Sequence, residues 1–264
     1  MQENNMRLID EATSFEPVKN TFRLGWEFIT LNKKFTLSVI VVLLVLSLLG
    51  SIPMVGFIFS VFSSAFALAI QIYAGRLVYE TENIETFVDE VHNADGQKLI
   101  ERHFSPALGA YMGWMVMALL LIGLISLLIG STSINVTNNG ELLSLLSTVG
   151  IPLLLVLLVF SYVQPLVQSN IVMANDFKEG FLAVFTVFSA DVWRLAMQGS
   201  YFKYISVYGI IILLSMVLFA FLFSIFAAIP ILNIFILIVF VYIFSIMMSV
   251  SAVMARRIVE EESF

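Results

Sequence analysis

Apolar and polar positions along this chain come in blocks, not in residue-by-residue alternation. Six long apolar runs stand out: Phe35–Gly50, Ile52–Ala74, Ala107–Ile129, Leu145–Val167, Tyr204–Phe226 and Ile231–Met254. None of them contains a charged side chain. A run of about 20 such residues is what a hydrocarbon core about 30 Å thick demands of a helix. The pattern predicts an all-α fold, a polytopic transmembrane helical bundle with six spanning helices. Membrane β-strands would instead show segments of about ten residues with alternating polarity. The first run is the shortest. Its 16 residues reach about 24 Å, so it must borrow flanking residues, thin the bilayer or span incompletely.

An Ile-Pro step recurs at Ser51-Ile52-Pro53, Gly150-Ile151-Pro152 and Ala228-Ile229-Pro230. Proline has no N–H to donate, and its fixed φ suits the first turn of a helix. Each step therefore reads as a tight reversal opening the second helix of a pair, and the six helices are expected as three helical hairpins. Each pair begins and ends on the same side, which makes them parallel pseudo-repeats about an axis along the membrane normal. The chain then divides as a single integral membrane domain over 1–264. A cytosolic tail and surface helix occupy 1–34, hairpin 1 occupies 35–75, and an acidic cytosolic loop occupies 76–106. Hairpin 2 follows over 107–167, an amphipathic surface segment over 168–203, hairpin 3 over 204–254, and a cytosolic tail over 255–264.

Two polar stretches keep a helical period. From Pro17 to about Leu31, Phe22, Trp26 and Ile29 recur at helical spacing, and Arg23 and Glu27 form an i,i+4 pair. Later, Leu182, Phe185, Phe188, Val192 and Leu195 lie on one side, with Asp191, Arg194 and Gln198 on the other. Both are predicted as amphipathic helices at the cytosolic membrane surface, with Trp26 and Trp193 at headgroup level. Small residues four apart, at Ser60/Ser64, Ala65/Ala69 and Gly109/Gly113, predict close helix approach. A second surface helix after Gly96 is expected to lead into Pro106, and Pro165 is expected to kink or end its helix.

Composition strengthens this picture. Hydrophobic residues make up 60% of the chain and charged residues 12%, against about 45–50% and about 25% in soluble domains. The net charge of −6 argues against nucleic acid as a partner, since that partner wants basic patches. There is no cysteine, which excludes disulfides, thiolate metal sites and cysteine nucleophiles. The N-terminus is acidic and polar, unlike a cleavable signal peptide, so the first apolar helix is expected to direct insertion. Counting six spans puts all 13 Lys and Arg residues on one face. The positive-inside rule makes that face cytoplasmic. The expected location is a cell membrane, multi-pass, with both termini cytoplasmic, of the prokaryotic inner-membrane type.

Candidate chemistry is sparse. Charges at depth are the usual mark of ion or proton pathways, and the cores of the six runs hold none. A polar pathway along the bundle axis would be lined by Gln71, Tyr162, Gln164, Ser245 and Ser249. The plainer reading is that such residues hydrogen-bond between helices. Glu80, Glu82, Glu85, Asp89 and Glu90, with Asp191 and Arg194, form a candidate cytosolic docking surface. The Asp191/Arg194 spacing also fits a simple ion pair. His92 among Asp89, Glu90 and Asp95 could be a weak metal site, but a solvated acidic loop is the simpler account. No hydrolase, zinc-protease or phosphate-loop motif is present. Asn135-Val136-Thr137 fits a glycosylation sequon. No cofactor is expected, and the partners expected are the lipid bilayer and another membrane or cytosolic protein.

The segments FLAVFTVFSADVWRL (residues 181–195) and LGAYMGW (residues 108–114) carry a resemblance. Over nearly its whole length the chain resembles uncharacterised six-helix prokaryotic membrane proteins. It is also similar to the membrane domain joined to some glycerophosphodiester phosphodiesterases. The soluble phosphodiesterase barrel of that group is absent, so the resemblance implies a fold and transfers no catalytic residue. The function expected is non-enzymatic: a scaffold, assembly or partner-binding membrane module. The alternative is a transporter or channel for a small or lipid-like substrate, without coupling to buried charge.

Overall fold

Backbone N–H and C=O groups have no water to bond in a bilayer, so uncharged runs of this length can only be helices or closed barrels. The computed structural model describes residues 7–131, 150–226 and 228–262. The sequon, Glu141 and the start of the fourth run lie outside the described residues. Among those described, the chain is all-helical, with no strand. The helices are α1 (Leu8–Ser14), α2 (Pro17–Leu31), α3 (Lys33–Gly50), α4 (Gly56–Glu80), α5 (Ile84–His92), α6 (Gly96–Ser131), α7 (Ile151–Met173), α8 (Phe177–Phe185), α9 (Ala190–Ala196), α10 (Gly199–Ile225) and α11 (Pro230–Glu262). A 3₁₀ turn, Thr186–Phe188, joins α8 to α9. Six of these, α3, α4, α6, α7, α10 and α11, are long and apolar enough to cross a membrane.

Local sequence sets the short helices. Asn83 caps α5 by accepting from the Thr86 amide at 2.9 Å, and Asp176 caps α8 by accepting from the Glu179 amide at 2.8 Å. Each satisfies one of the free amides that every helix start exposes. Asn32 serves two helices. Its Oδ1 accepts from the Phe35 amide at the start of α3, and its Nδ2 donates to the carbonyls of Val91, His92 and Ala94 at the end of α5. Pro230 opens α11 and Pro152 lies in the first turn of α7. Pro53 instead sits within the Ser51–Val55 turn, ahead of α4, next to Met54, which is exposed and has a positive φ of 71°.

The centre of the molecule is a triad, α4, α7 and α11, in mutual contact. Small side chains allow it. A Cβ at Gly75 of α4 would collide with the Ser249 hydroxyl of α11 and lie 2.9 Å from Val172 of α7. Outside the triad, α3 packs on α4, and α10 packs on α11. Helix α6 packs chiefly on α8 and α4 and touches α7 only slightly. The α6–α8 crossing explains the Gly109/Gly113 spacing. A Cβ on Gly109 would collide with the Phe177 carbonyl, and one on Gly180 would collide with the Pro106 carbonyl. Each helix thus supplies a glycine where the other's backbone passes.

Burial is lopsided along the bundle. The buried residues of α3 are Phe35, Val39 and Leu43, with none after Leu43, and those of α10 are Tyr201, Tyr204, Ile205 and Tyr208, near its start. In α7 the buried residues begin only at Val163. All of these lie toward the end of the bundle that carries α1, α2, α5, α8 and α9, hereafter the charged end. Toward the far end, helices expose Leu, Ile, Val and Phe on most sides.

Several expectations change in detail. The 17–31 helix forms as expected, but its buried face is Thr21, Leu24, Gly25, Phe28 and Ile29, while Trp26 is exposed. It packs against α11, α5, α10 and α3, so it belongs to the core of the charged end. The second amphipathic stretch is broken into α8, the 3₁₀ turn and α9, with Leu182 and Phe188 exposed and Val184, Val187 and Val192 buried. No separate surface helix precedes Pro106, because α6 runs unbroken from Gly96 through that proline. Likewise α7 continues past Pro165 to Met173, and most of the C-terminal tail is the last part of α11.

Candidate functional site

Side chains at the charged end fall into a paired set and an unpaired set. The paired set ties the N-terminal helix to the end of the last one. Leu8, Ile9 and Ala12 of α1 are buried, and Arg257 Nε on α11 meets Asp10 Oδ1 at 2.6 Å. Arg257 also meets Glu261 at 3.4 Å. Arg256 pairs with Glu260 at 2.8 Å and donates to Asn170 Oδ1 of α7 at 2.8 Å. Arg76 of α4 works without a carboxylate. It donates to the carbonyls of Val172 and Ala174 at 2.7 and 2.5 Å and to Asn175 Oδ1 at 3.1 Å, which closes the C-terminus of α7. The Arg256–Glu260 and Arg257–Glu261 pairs have the i,i+4 spacing of a helix face. The contacts of Arg257 with Asp10, of Arg256 with Asn170 and of Arg76 with the end of α7 carried no signal in the sequence, because those partners lie far away along the chain.

The unpaired set is the acidic one. Glu80, Glu82, Glu85, Asp89 and Glu90 make no ion pair with another described residue. Glu80, Glu82 and Glu90 line a cleft of about 520 Å³ between the end of α4, the helix α5 and the start of α6. Lys98, Arg102 and Arg76 line the same cleft. So does His103, which is only 6% exposed and stacks on Tyr73 with ring centroids 5.2 Å apart. Glu85 and Asp89 lie on α5 outside this cleft. Asp191 and Arg194 sit apart, on α9, 3.6 Å from each other and well exposed. That pair is the simple ion-pair outcome, and Asp191 also borders a smaller pocket with Asn170, Arg256 and Glu260.

The axial polar residues divide as well. Gln168 Nε2 donates to Gln71 Oε1 at 2.8 Å, and the Ser249 hydroxyl donates to the Gln71 carbonyl. These bonds join α7, α4 and α11 where Gly75 lets them approach. Ser245 is buried on α11. Tyr162 points elsewhere, donating to the Ala196 carbonyl at 2.6 Å and so holding α9 to α7. Gln164 lines a groove of about 240 Å³ between α6 and α7, with Trp114, Met117 and Leu157. The five residues therefore do not line one passage. His92 turns its Nδ1 to the Val88 carbonyl of its own helix at 2.9 Å. Among the described residues, no three His, Asp or Glu side chains gather as a metal site would require.

No family model matches this chain, and neither the curated proteins nor the solved structures contain a significant match to it. The chain's own geometry therefore carries the functional reading.

Proposed function

We propose that the chain is a non-enzymatic membrane module that holds a partner protein at its charged end. The supporting observation is the contrast within that end. Asp10 of α1 and Arg256, Arg257 and Glu260 of α11 are consumed in holding the fold, whereas the acids from Glu80 to Glu90 have no ion pair among the described residues. An acidic surface of this kind suits a basic segment on a membrane or cytosolic partner. The hydrogen-bonded contact at Gln71, Gln168 and Ser249 favours this reading over a transport pathway.

In this proposal the charged end is cytoplasmic, because every Lys and Arg falls there and the positive-inside rule governs orientation. The membrane is a cell membrane of the prokaryotic inner type. The six helices act as three parallel hairpins whose second members, α4, α7 and α11, form the inner triad. A reporter fused after Glu262 should read cytoplasmic, and a signal from the opposite side would refute the orientation.

The docking reading is tested by cross-linking and gentle co-purification from native membranes. Charge reversal of Glu82, Glu85 and Asp89 should reduce recovery of the associated protein about tenfold while leaving the melting temperature unchanged. Equal recovery from the reversed variant, or no associated protein at all, would refute it.

A further inference from the structure

The cleft between α4, α5 and α6 holds charges of both signs that do not pair with each other, and a buried histidine whose Nδ1 has no hydrogen-bond partner among the described residues. We propose that it binds a zwitterionic aminoalkyl phosphate, the chemistry of a phosphatidylethanolamine headgroup. This stands apart from the partner-docking proposal and needs no partner protein.

Four observations carry it. The first is the arrangement of charge. Glu80, Glu82 and Glu90 line the space from the end of α4, the turn after it and α5, and Lys98 and Arg102 line it from α6, and none of the five makes an ion pair with a described residue. Arg76 is already committed to the end of α7. A simple anion would meet three carboxylates, and a simple cation would meet two basic groups. A ligand carrying both charges satisfies both walls.

The second is His103. Its ring is 6% exposed and its Nδ1 has no hydrogen-bond partner among the described residues, although it lines the cleft. Buried polar atoms are nearly always bonded, and the cleft that this residue lines is the open space from which a partner would come. A neutral imidazole nitrogen can accept from an ammonium or, in the other tautomer, donate to a phosphate oxygen.

The third is size. About 520 Å³ falls within the usual range for small-molecule sites. The fourth is depth. Arg76 stands just after the second apolar run and Pro106 just before the third. The cleft therefore opens at the level where lipid headgroups lie.

The test uses the full-length protein in detergent, labelled with ¹⁵N-histidine. The chain has two histidines, so His103 reports on the cleft and His92, bonded within its own helix, serves as the internal reference. The probes are dihexanoyl-phosphatidylethanolamine, dihexanoyl-phosphatidylglycerol and free phosphoethanolamine. The His103 signal should move saturably with dihexanoyl-phosphatidylethanolamine while His92 stays still, and the phosphatidylglycerol should leave both unmoved. Arg102→Gln should weaken the effect about tenfold. Lys98→Gln, at an exposed position, repeats the test should the first variant fold poorly. Saturation by free phosphoethanolamine at similar concentration would support the headgroup chemistry with a soluble source. A response to the diacyl form alone would support it with a membrane source. An equal response to phosphatidylglycerol, no movement of His103 with any probe, or full binding by both variants would overturn the proposal.

Discussion

Helices α10 and α11 are neighbours in the chain and equally apolar, each with a mean hydropathy of 2.6 over its best window, yet 6% of that window is buried in α10 and 44% in α11. Hydrophobicity therefore does not decide which helix lies inside. In a bilayer the lipid tails are as apolar as leucine, so burying another leucine gains little. What differs is the supply of small and hydrogen-bonding residues. The buried part of α11 carries Ser245, Ser249, Ser251, Ala252 and Ala255, and Ser249 among them sits against Gly75 and Gln71 of α4. The exposed part of α10 is Ile, Leu, Met, Val and Phe almost throughout. The same contrast separates the charged end from the far end. Close packing follows the small residues, and the bulky apolar ones face lipid.

The largest expected effect breaks this contrast at a glycine. Gly109→Leu places a side chain against the Phe177 carbonyl, where backbone meets backbone and neither side can yield. Overpacking costs about 3 kcal/mol or more in such a place. The folded, monodisperse fraction in detergent should collapse, measured by fluorescence-detected gel filtration. The control is Gly123→Leu in the same helix, where a Cβ would meet nothing within 4 Å. That variant should elute like the parent. Equal damage from both would mean that α6 is packed along its whole length, contrary to the comparison.

Next comes a truncation on each of the two helices. Ile246 on α11 is fully buried, whereas Leu214 on α10 is 63% exposed. Ile246→Ala should cost about 3 kcal/mol, seen as a clear fall in melting temperature. Leu214→Ala should fall within about 0.5 kcal/mol of the parent. A large loss at Leu214 would show that the exposed face of α10 is covered, for instance by another protein.

The sequence carried the coarse architecture because that is a matter of length and polarity. Six uncharged runs became six helices of spanning length, and the helix opening at Pro17 ended at Leu31. The missing parts depend on tertiary contact. Periodicity marked Phe22, Trp26 and Ile29 as a face, but of these only Ile29 is buried, and the helix buries Leu24 and Phe28 against its several neighbours instead, while Trp26 is exposed. Gly109/Gly113 correctly signalled close approach, but the sequence could not show that the visitor is α8 rather than a spanning helix. Pro106 and Pro165 sit inside continuous helices because neighbouring helices can hold the freed groups in a membrane. Of the candidate site residues, Glu80, Glu82 and Glu90 do converge on one cleft. The histidine that lines it was visible only as a letter, since its stacking partner Tyr73 lies on another helix, α4.

A smaller effect tests whether fixed charges order the charged end. Asp10 and Arg257 are about four-fifths buried, with side chains 17% and 20% exposed. Asp10→Asn keeps the shape and removes the charge. Breaking a fully buried pair costs about 3–5 kcal/mol, and the residual exposure here reduces that to about 2 kcal/mol. Local opening of α1 should rise roughly 30-fold, read as faster hydrogen exchange of its amides. Unchanged exchange would mean that Leu8, Ile9 and Ala12 hold α1 by packing alone.

The smallest effect is the one that best separates structure from function. Gln168 is 2% exposed and bonded to Gln71, so Gln168→Leu removes one interhelical hydrogen bond at the triad. Such bonds in membranes average about 0.6 kcal/mol, so the melting temperature should drop slightly. Ser249 would still donate to the Gln71 backbone. Gln164 lies on the same helix but has no hydrogen-bond partner among the described residues, in a groove walled by Trp114, Met117 and Leu157. Gln164→Leu should therefore be neutral or slightly stabilising, because leucine suits such walls better than an unbonded amide. If Gln164→Leu proved the costlier of the two, the amide would have to bond something entering the α6–α7 groove from the bilayer. The working region would then extend beyond the charged end into the membrane.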